Sequence, residues 1–316
     1  MAIDRLKLFQ PNKLPENPES SDEAKAVKLG RFPSWLHRKL PSGGNLFKTN
    51  AILEKYRLNT VCEEAKCPNR LECYGRKTAT FLALGKECTR NCGFCDIDFS
   101  KTPKAPEADE PLRIALSVKE LGLKHVVITM VARDDLPDQG ASGIASIITT
   151  VRGECPGVTI EVLTSDFSGE EKLLDLVLEA KPDIFNHNIE TVRELTPRVR
   201  NKATYERTLK VLSYVKKNST CHVKSGIMVG LGETDTQVLQ TIEDLSQAGC
   251  DIITIGQYLQ ADRRKLLVKA FITPEQFKAY ETHGYSLGVK QMYCGPFVRS
   301  SYHADEIQTS VQNSHG

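Results

Sequence analysis

From about Thr78 to Tyr258 the chain alternates short apolar runs with longer segments that have the periodicity of helices. The short runs are rich in Val, Ile and other residues that favour strands. We therefore predict strands at 78–84, 125–131, 182–186, 222–229 and 251–255.

Five segments repeat apolar residues every three or four positions, as a helix with one buried face does. Residues 111–121 form one of them and end before Gly122, and another stops at Gly249. The other three begin after predicted N-cap residues, the first of which has the spacing of a capping box. These N-caps are Ser168, Thr204 and Thr273.

Strands that alternate with helices of this length are typical of a parallel sheet with crossover helices. About six such units fit between Thr78 and Tyr258, which is too few for a closed eight-stranded barrel. The pattern therefore predicts an α/β fold, a partial (β/α)6 TIM-type barrel with ligands at the carboxyl ends of its strands. A doubly wound open sheet is the alternative, and the pattern does not exclude it.

The composition is that of an ordinary globular protein, with 40% hydrophobic and 26% charged residues and a net charge of +2. Because there is no basic run, we expect no nucleic-acid partner. No apolar stretch approaches the ~18 residues that cross a membrane, so we predict no membrane partner and a cytoplasmic location. The polar, proline-rich segment 11–22 is predicted to be disordered.

Six of the ten cysteines form two triplets with different spacing. Cys62, Cys67 and Cys73 read C-x4-C-x5-C, whereas Cys88, Cys92 and Cys95 read C-x3-C-x2-C. Three clustered thiolates suit an iron–sulfur cluster and leave one iron without a cysteine ligand. A single strand-like segment separates the triplets, which suggests two clusters facing one cavity.

Disulfides and structural zinc are the alternative roles for these cysteines. Disulfides need an oxidising compartment, and the N-terminal residues do not have the pattern of a secretory signal. Structural zinc usually needs two C-x2-C pairs or a C-x2-C with a distant His pair. Only Cys92 and Cys95 have that spacing here.

The second triplet, with Phe94 directly before Cys95, resembles the signature of the radical S-adenosylmethionine superfamily. The resemblance implies a 4Fe–4S cluster on Cys88, Cys92 and Cys95, with S-adenosylmethionine bound to the open iron. Reduction of that cluster would cleave the sulfonium and release a 5′-deoxyadenosyl radical.

The first triplet resembles the auxiliary-cluster motif of the lipoyl synthases, one family of that superfamily. The similarity extends in order from Gly30 to Ala304 and closes with Arg299-Ser300-Ser301-Tyr302. It implies insertion of two sulfur atoms at carbons 6 and 8 of a protein-bound octanoyl-lysine. A second 4Fe–4S cluster would donate the sulfur. Its ligands would be Cys62, Cys67, Cys73 and Ser301.

The resemblance also implies three regions: an N-terminal extension with the auxiliary motif (1–76), the partial barrel (77–288) and a C-terminal extension with the Arg-Ser-Ser-Tyr motif (289–316). Candidate contacts to S-adenosylmethionine are Phe94, Asp134, Asn188, Glu190 and Arg200. We interpret His187 as a packed histidine rather than a ligand.

Three departures from the family pattern are Ala132, Gln139 and the basic segment 261–267. Ala132 and Gln139 lie in the loop where the superfamily binds the methionine amino group, so the contacts there are open. The basic segment replaces a proline-containing stretch of the family.

The implied partners are octanoylated lipoyl carrier domains of 2-oxoacid dehydrogenases or the glycine-cleavage carrier protein. A flavodoxin or ferredoxin would donate electrons, and an iron–sulfur carrier protein would restore the auxiliary cluster. Two other functions are an electron-transfer protein with two clusters and a different sulfur-inserting radical enzyme, such as biotin synthase or a methylthiotransferase. Neither alternative explains both triplets together with the terminal Arg-Ser-Ser-Tyr motif.

Overall fold

The computed structural model describes residues 32–37, 45–76 and 79–301. Segment 11–22, Tyr302 and the polar tail that follows it lie outside these ranges. Within them, no helix is long and apolar enough to cross a membrane.

The strands are short and mostly buried, as expected for a sheet covered by helices. In chain order they are β1 (Thr80–Ala83), β2 (Glu87–Cys88), β3 (Asp98–Phe99), β4 (His125–Met130), β5 (Thr159–Leu163), β6 (Ile184–Asn186), β7 (His222–Val229), β8 (Ile252–Gln257) and β9 (Gln291–Gly295).

Helices of four to fourteen residues connect or precede the strands. They are α1 (Asn45–Lys55), α2 (Val61–Glu64), α3 (Arg70–Gly75), α4 (Glu110–Leu121), α5 (Ala141–Glu154), α6 (Glu171–Glu179), α7 (Thr196–Val199), α8 (Tyr205–Asn218), α9 (Asp235–Gln247) and α10 (Pro274–Ser286). Short 3-10 turns lie at Ser34–Leu36 and Phe167–Gly169.

Seven strands form one parallel sheet in the order β1-β4-β5-β6-β7-β8-β9, and β2 pairs separately with β3. The spatial order follows the chain order, so every crossover winds in one direction around the sheet. A doubly wound sheet reverses its order at a switch point, so that alternative is excluded. Among the described residues β9 does not pair with β1, and the barrel is therefore partial, as predicted.

The number of strands of this sheet before β9 agrees with the prediction of about six units, and β1, β4, β6, β7 and β8 lie at the predicted strands. The pattern did not locate β5, and it did not predict β9. Strand β9 pairs with β8, with Ile255 opposite Cys294. Its sequence, Gln-Met-Tyr-Cys-Gly, lacks a β-branched apolar run. The C-terminal segment therefore extends the sheet before it turns towards the strand ends.

The predicted capping box at Ser168 is wrong. Helix α6 begins at Glu171 after Glu170, which forms no side-chain cap. Ser168 lies in the preceding 3-10 turn with φ 55°, and its N–H donates to Asp166 at 3.2 Å. The carboxylate of Asp166 therefore caps this short turn. The N-caps at Thr204 and Thr273 are confirmed, since each side chain accepts a backbone N–H three residues later.

A charged layer fills the barrel below the strand ends. Lys224 and Glu161 are fully buried, and Lys224 Nζ donates to Glu161 Oε1 at 2.8 Å. Asn186 Nδ2 donates to the same oxygen at 3.1 Å, and His125 Nε2 lies 3.3 Å from Glu161 Oε2. Burial by itself raises the pKa of Glu161, but Lys224 and His125 outweigh burial and lower it. This layer forms a polar floor of the barrel, in which the charges of Glu161 and Lys224 neutralise each other.

Lys224→Met should destabilise the protein strongly, because it leaves the carboxylate of Glu161 buried without its cation. We expect a loss of about 3 to 5 kcal/mol in the free energy of unfolding, measured with urea. Lys278→Met removes a surface pair with Glu281 and should leave the free energy of unfolding nearly unchanged, because water screens that pair. Equal losses in the two variants would contradict the role of the charged layer.

Candidate active site

A cavity of about 580 Å³ lies at the carboxyl ends of the parallel strands. Since parallel strands all end on the same rim, residues that follow different strands meet there. Of the predicted site residues, only Asp134 does not line this cavity. Those that do are Cys62, Cys67, Cys73, Cys88, Cys92, Phe94, Cys95, Asn188, Glu190, Arg200 and Ser301.

The loop of the second triplet is held in place by backbone hydrogen bonds to the ends of other units. Thr89 N donates to Ala132 O at 3.0 Å, and Gly93 N donates to Val199 O at 2.9 Å. The Thr89 hydroxyl also bonds to Ala132 O at 2.9 Å. These contacts fix the backbone of the loop on both sides of Cys92.

Arg90, between the first two cysteines of this loop, forms a buried ion-pair network. Its guanidinium donates to both Asp134 oxygens at 2.7 to 3.1 Å and lies 2.7 Å from Asp166 Oδ1. Asp166 is also paired with Arg207 at 3.1 Å. Burial opposes ionisation of Asp166, but Arg90 and His187 outweigh it and lower the pKa to about 2. The structure therefore places Asp134 behind the loop, bonded to Arg90.

The first triplet lies on α2, α3 and the turn between them. Thr60 caps α2 by accepting the N–H of Glu63 at 3.3 Å, and its hydroxyl is 2.7 Å from the hydroxyl of buried Tyr74. Thr49 of α1 donates to the carbonyl of Tyr74 at 3.0 Å. Tyr74 thus joins the three helices and holds Cys62 close to Thr80, the first residue of β1.

The C-terminal segment enters the same cavity. Thr80 Oγ1 donates to Ser301 Oγ at 2.8 Å, and Thr80 also lowers the pKa of the Cys62 thiol, against the larger opposing effect of burial. Asn188 Nδ2 donates to the neighbouring Ser300 Oγ at 2.7 Å. Ser301 therefore shares a contact with the first triplet, whereas Ser300 faces the opposite wall of the barrel.

The buried thiols fit iron–sulfur clusters better than they fit free anions. Burial raises the pKa of Cys92, and it raises the pKa of Cys95 to about 12 and that of Cys62 to about 11. Thiolates at these positions need a cation, which the iron of a cluster supplies. In the described ranges no three such side chains converge on a single metal ion. A cluster does not require this, since each cysteine binds a different iron.

Backbone N–H groups already point at the sulfur atoms of the second triplet. Arg90 N donates to Cys88 Sγ and Asn201 N donates to Cys92 Sγ, both at 3.4 Å. Such bonds stabilise thiolate charge and tune the reduction potential of a cluster. The donor set of this loop is therefore suited to a redox-active cluster.

Polar groups next to the second triplet fit S-adenosylmethionine. Asn188 Oδ1 and Thr164 Oγ1 are buried in the cavity wall without a hydrogen-bond partner among the described residues. Burial raises the pKa of Glu190 and lowers that of Arg200, and each group opposes the shift of the other. An amide oxygen without a partner, a half-buried carboxylate and a half-buried guanidinium suit the hydroxyl, ammonium and carboxylate groups of this cofactor.

Glu190 has the left-handed φ of 69°, which is uncommon for a residue other than glycine. Its N–H donates to Gly226 O and its carbonyl accepts from Met228 N, both at 2.9 Å. Neighbouring structure thus maintains an unfavourable backbone conformation at the cavity wall. Strain of this kind is concentrated at functional sites.

His187 is a packed histidine, as interpreted from the sequence. Its Nδ1 lies 2.9 Å from the Thr164 carbonyl, and its Nε2 lies 3.1 Å from the Thr208 hydroxyl. Arg200 Nη1 donates to the same hydroxyl at 2.7 Å. Burial, then the charge of Arg200, lowers the pKa of His187 to about 4. The neutral ring therefore supports Thr208, which in turn orients Arg200.

One ion pair links the two cysteine loops. Lys66, between Cys62 and Cys67, lies 2.7 Å from Asp96, which directly follows Cys95. Sequence reasoning missed this pair, and it also missed Arg90 and Thr80. The signal for Arg90 and Lys66 was their position inside the cysteine motifs, where a charged side chain needs a nearby counter-charge.

Of the departures from the family pattern, Ala132 lines the cavity and Gln139 does not. Gln139 Nε2 donates to Glu170 Oε1 at 3.1 Å, and Gln139 Oε1 accepts from Ser168 Oγ at 3.0 Å. Gln139 therefore joins two loops behind the cavity wall.

Two family sequence models match the chain. The model of the radical SAM superfamily matches residues 82–245, and the model of the N-terminal domain of lipoyl synthase of the radical SAM family matches residues 8–67.

Curated relatives match nearly the whole chain. A lipoyl synthase of Protochlamydia amoebophila is 63% identical over 299 residues, which cover 94% of this chain and 92% of that protein. A lipoyl synthase of Chlamydia muridarum is 51% identical, with 92% and 94% covered. That of Chlamydia felis is 50% identical, with 96% of both covered.

Solved structures support the fold alone, because their sequences are distant. Methylornithine synthase (PylB) aligns with a TM-score of 0.51 and 12% identity over 84% of this chain and 92% of that one. The FeFe-hydrogenase maturase HydG from Carboxydothermus hydrogenoformans aligns with a TM-score of 0.52 and 14% identity over 85% and 70%.

Arg90→Ala should lower the free energy of unfolding by about 3 to 5 kcal/mol, because two carboxylates lose their shared buried cation. Arg207→Ala, at the more exposed side of Asp166, should cost about 1 to 2 kcal/mol. Urea unfolding of the metal-free proteins measures both losses.

The loss should also depend on pH. The folded-state pKa of Asp166 is below its usual value of 3.8, so the ion pair stabilises the protein fully above that pH. Its contribution is lost as the pH falls towards about 2. A difference between wild type and Arg90→Ala that did not shrink below about pH 4 would contradict the network.

Proposed function

The chain belongs to the lipoyl synthase family of radical S-adenosylmethionine enzymes, and on this premise we propose which residues carry each part of the reaction. It is a sulfurtransferase that inserts two sulfur atoms at carbons 6 and 8 of a protein-bound octanoyl-lysine, using S-adenosylmethionine and two 4Fe–4S clusters. The observation that supports our assignment is that both triplets and Ser301 line one cavity.

We assign the catalytic cluster to Cys88, Cys92 and Cys95, and S-adenosylmethionine to the wall formed by Phe94, Asn188, Glu190 and Arg200. Glu190 and Arg200 would bind the charged groups of the methionine moiety, and the free oxygen of Asn188 would accept a hydrogen bond. Asp134 acts here as a positioning residue through Arg90, which replaces the direct cofactor contact predicted from the sequence.

The auxiliary cluster is assigned to Cys62, Cys67, Cys73 and Ser301. Support for Ser301 comes from Thr80, which is hydrogen-bonded to Ser301 and lines the same cavity as Cys62. Serine oxygen is harder than thiolate and is mismatched to a sulfur-rich cluster. The iron that Ser301 binds should therefore be the one most readily released.

The substrate carbons explain why two cofactors share the cavity. Unactivated C–H bonds have no acidic proton, so an acid or base on the protein cannot start the reaction. When bound, S-adenosylmethionine and the catalytic cluster supply the radical chemistry that removes hydrogen, and the auxiliary cluster supplies sulfur. The chain contributes an apolar wall that excludes water, including Leu82, Met130 and Leu163.

The assignment of the cluster ligands also suggests how the chain divides into regions. We propose an N-terminal extension at 1–76, a barrel at 77–288 and a C-terminal extension at 289–316. Helices α1 to α3 precede β1 and carry the first triplet, and β9 leads the last segment back to the cavity. Each extension thus provides ligands for the auxiliary cluster.

We propose that the acyl group is carried by a lipoyl domain of a 2-oxoacid dehydrogenase or by the glycine-cleavage carrier protein. Each S-adenosylmethionine consumed requires one electron, for which a flavodoxin or ferredoxin is proposed. A cluster that donates sulfide must be rebuilt, which calls for an iron–sulfur carrier protein.

Anaerobic turnover of an octanoyl-lysyl peptide with dithionite and S-adenosylmethionine tests the two cluster roles. Cys92→Ala should abolish 5′-deoxyadenosine formation but retain iron at the first triplet. Cys67→Ala should still form 5′-deoxyadenosine and insert no sulfur, as measured by mass spectrometry. Cys221→Ala, which does not line the cavity, is the control and should remain active.

Two results would overturn this assignment. Normal cleavage of S-adenosylmethionine by Cys92→Ala would show that the triplets have other roles. Normal sulfur insertion by Cys67→Ala would show that the sulfur has a different source.

Ser301→Cys should retain the auxiliary cluster with a stronger fourth bond. Release of that iron becomes harder, so the second sulfur insertion should slow more than 5′-deoxyadenosine formation. Ser300→Ala loses only its contact with Asn188 on the other wall and should have a milder effect. Mass spectrometry of singly and doubly thiolated peptide compares them. Near-normal lipoyl formation in both variants would mean that the terminal motif only anchors the chain.

A further inference from the structure

A loop between β8 and α10 forms part of the cavity rim. We call residues 261–270 the rim loop. Gln260, directly before the rim loop, and Ala261, its first residue, line the cavity. Leu267, further along the rim loop, is 60% exposed. The loop therefore runs from the cavity wall onto the outer surface.

The rim loop is held firmly against the catalytic cysteine loop. Leu266 is buried, its N–H donates to Gly93 O at 3.0 Å, and its carbonyl accepts from Tyr258 Oη at 2.7 Å. Gln260 Nε2 donates to the carbonyl of Lys265 at 3.0 Å, and Lys269 N donates to Gly230 O at 2.8 Å. Its backbone is thus fixed while its charged side chains remain at the surface.

The cations of this loop outnumber the anions that could neutralise them. Asp262 is paired with Arg264 at 2.8 Å and lies 4.0 Å from Lys66, which is itself paired with Asp96. Arg263, Lys265 and Lys269 form no ion pair with any residue in the described ranges. Arg263 and Lys269 are exposed, and Lys265 is partly exposed.

We propose that the rim loop is the docking surface for an acidic face of the carrier protein, next to its octanoylated lysine. This inference rests on the proposed function, in which the acyl chain is attached to a folded protein. When the chain reaches into the cavity, the carrier surface around its lysine must lie against the rim. The unpaired cations then meet carboxylates of the carrier, and exposed Leu267 supplies an apolar contact.

The charge arrangement determines which measurements are informative. Exposed complementary charges mainly accelerate association and orient the partner, and salt weakens them. They act on a folded carrier with an acidic face, whereas a short neutral peptide that carries the same octanoyl-lysine gains nothing from them. The rim loop should therefore affect the KM of a carrier and not the chemistry inside the cavity.

The test compares Arg263→Glu/Lys265→Glu with the control Lys124→Glu/Lys217→Glu in the reconstituted enzyme. Lys124 and Lys217 are exposed and lie near the starts of β4 and β7, at the opposite end of the sheet. The substrates are an octanoylated lipoyl domain with an acidic surface and a short neutral octanoyl-lysyl peptide. Affinity for the domain is measured separately by fluorescence anisotropy without S-adenosylmethionine, at several salt concentrations.

For the rim variant we expect roughly tenfold weaker binding and a roughly tenfold higher KM for the domain at low salt. The kcat of the rim variant for both substrates and its KM for the peptide should stay unchanged. The control variant should match wild type in all of these quantities. Salt should weaken domain binding to wild type much more than domain binding to the rim variant.

An unchanged KM for the domain, or an equal rise for domain and peptide, would overturn the docking proposal. Equal effects in the control variant would do so as well, because they would reflect overall charge. If wild type binds the domain in a salt-dependent way yet modifies neither substrate, the proposed function fails while the docking surface stands.

Discussion

The guanidinium of Arg90 ties the loop of the second cysteine triplet to the carboxyl ends of two neighbouring strands. It does so by pairing with Asp134 after β4 and Asp166 after β5. On the proposed assignment this loop carries three ligands of one cluster, and its sulfur atoms must then keep a fixed arrangement. A buried cation shared by two carboxylates provides this, because moving the loop would leave the guanidinium without a partner and would leave Asp134 and Asp166 with only the more exposed Lys202 and Arg207.

Two contacts attach neighbouring segments of the cavity rim to this fixed loop. Lys66 joins it to the first triplet through Asp96, and Leu266 joins it to the rim loop through Gly93. Sulfur insertion requires that the radical chemistry and the sulfur donor meet the same substrate carbon. These contacts hold the two triplets on either side of one cavity, which is the geometric condition for that chemistry.

The interior of the barrel must also leave space for the C-terminal segment of the chain. Glycines at 226 and 256 leave space for it, since a Cβ at Gly226 would come within 3.2 Å of Ser300 Oγ, and one at Gly256 would clash with the Val298 carbonyl. The charged layer of Glu161 and Lys224 closes the barrel below. The segment therefore lies between a polar floor and the cysteine loops, and Ser301 comes to rest beside Thr80.

The sequence by itself determined the alternation of strands and helices, the parallel sheet and the two cysteine triplets. These features are local, because burial periodicity and ligand spacing depend on residues close together in the chain. Tertiary structure decided three further features. The sheet gains strand β9, and Asp134 is bonded to Arg90 behind the cysteine loop and does not line the cavity. Ser301 contacts Thr80, which lies 221 positions earlier in the chain. Such contacts depend on the register of parallel strands and on which loops share a rim, and no local pattern encodes that.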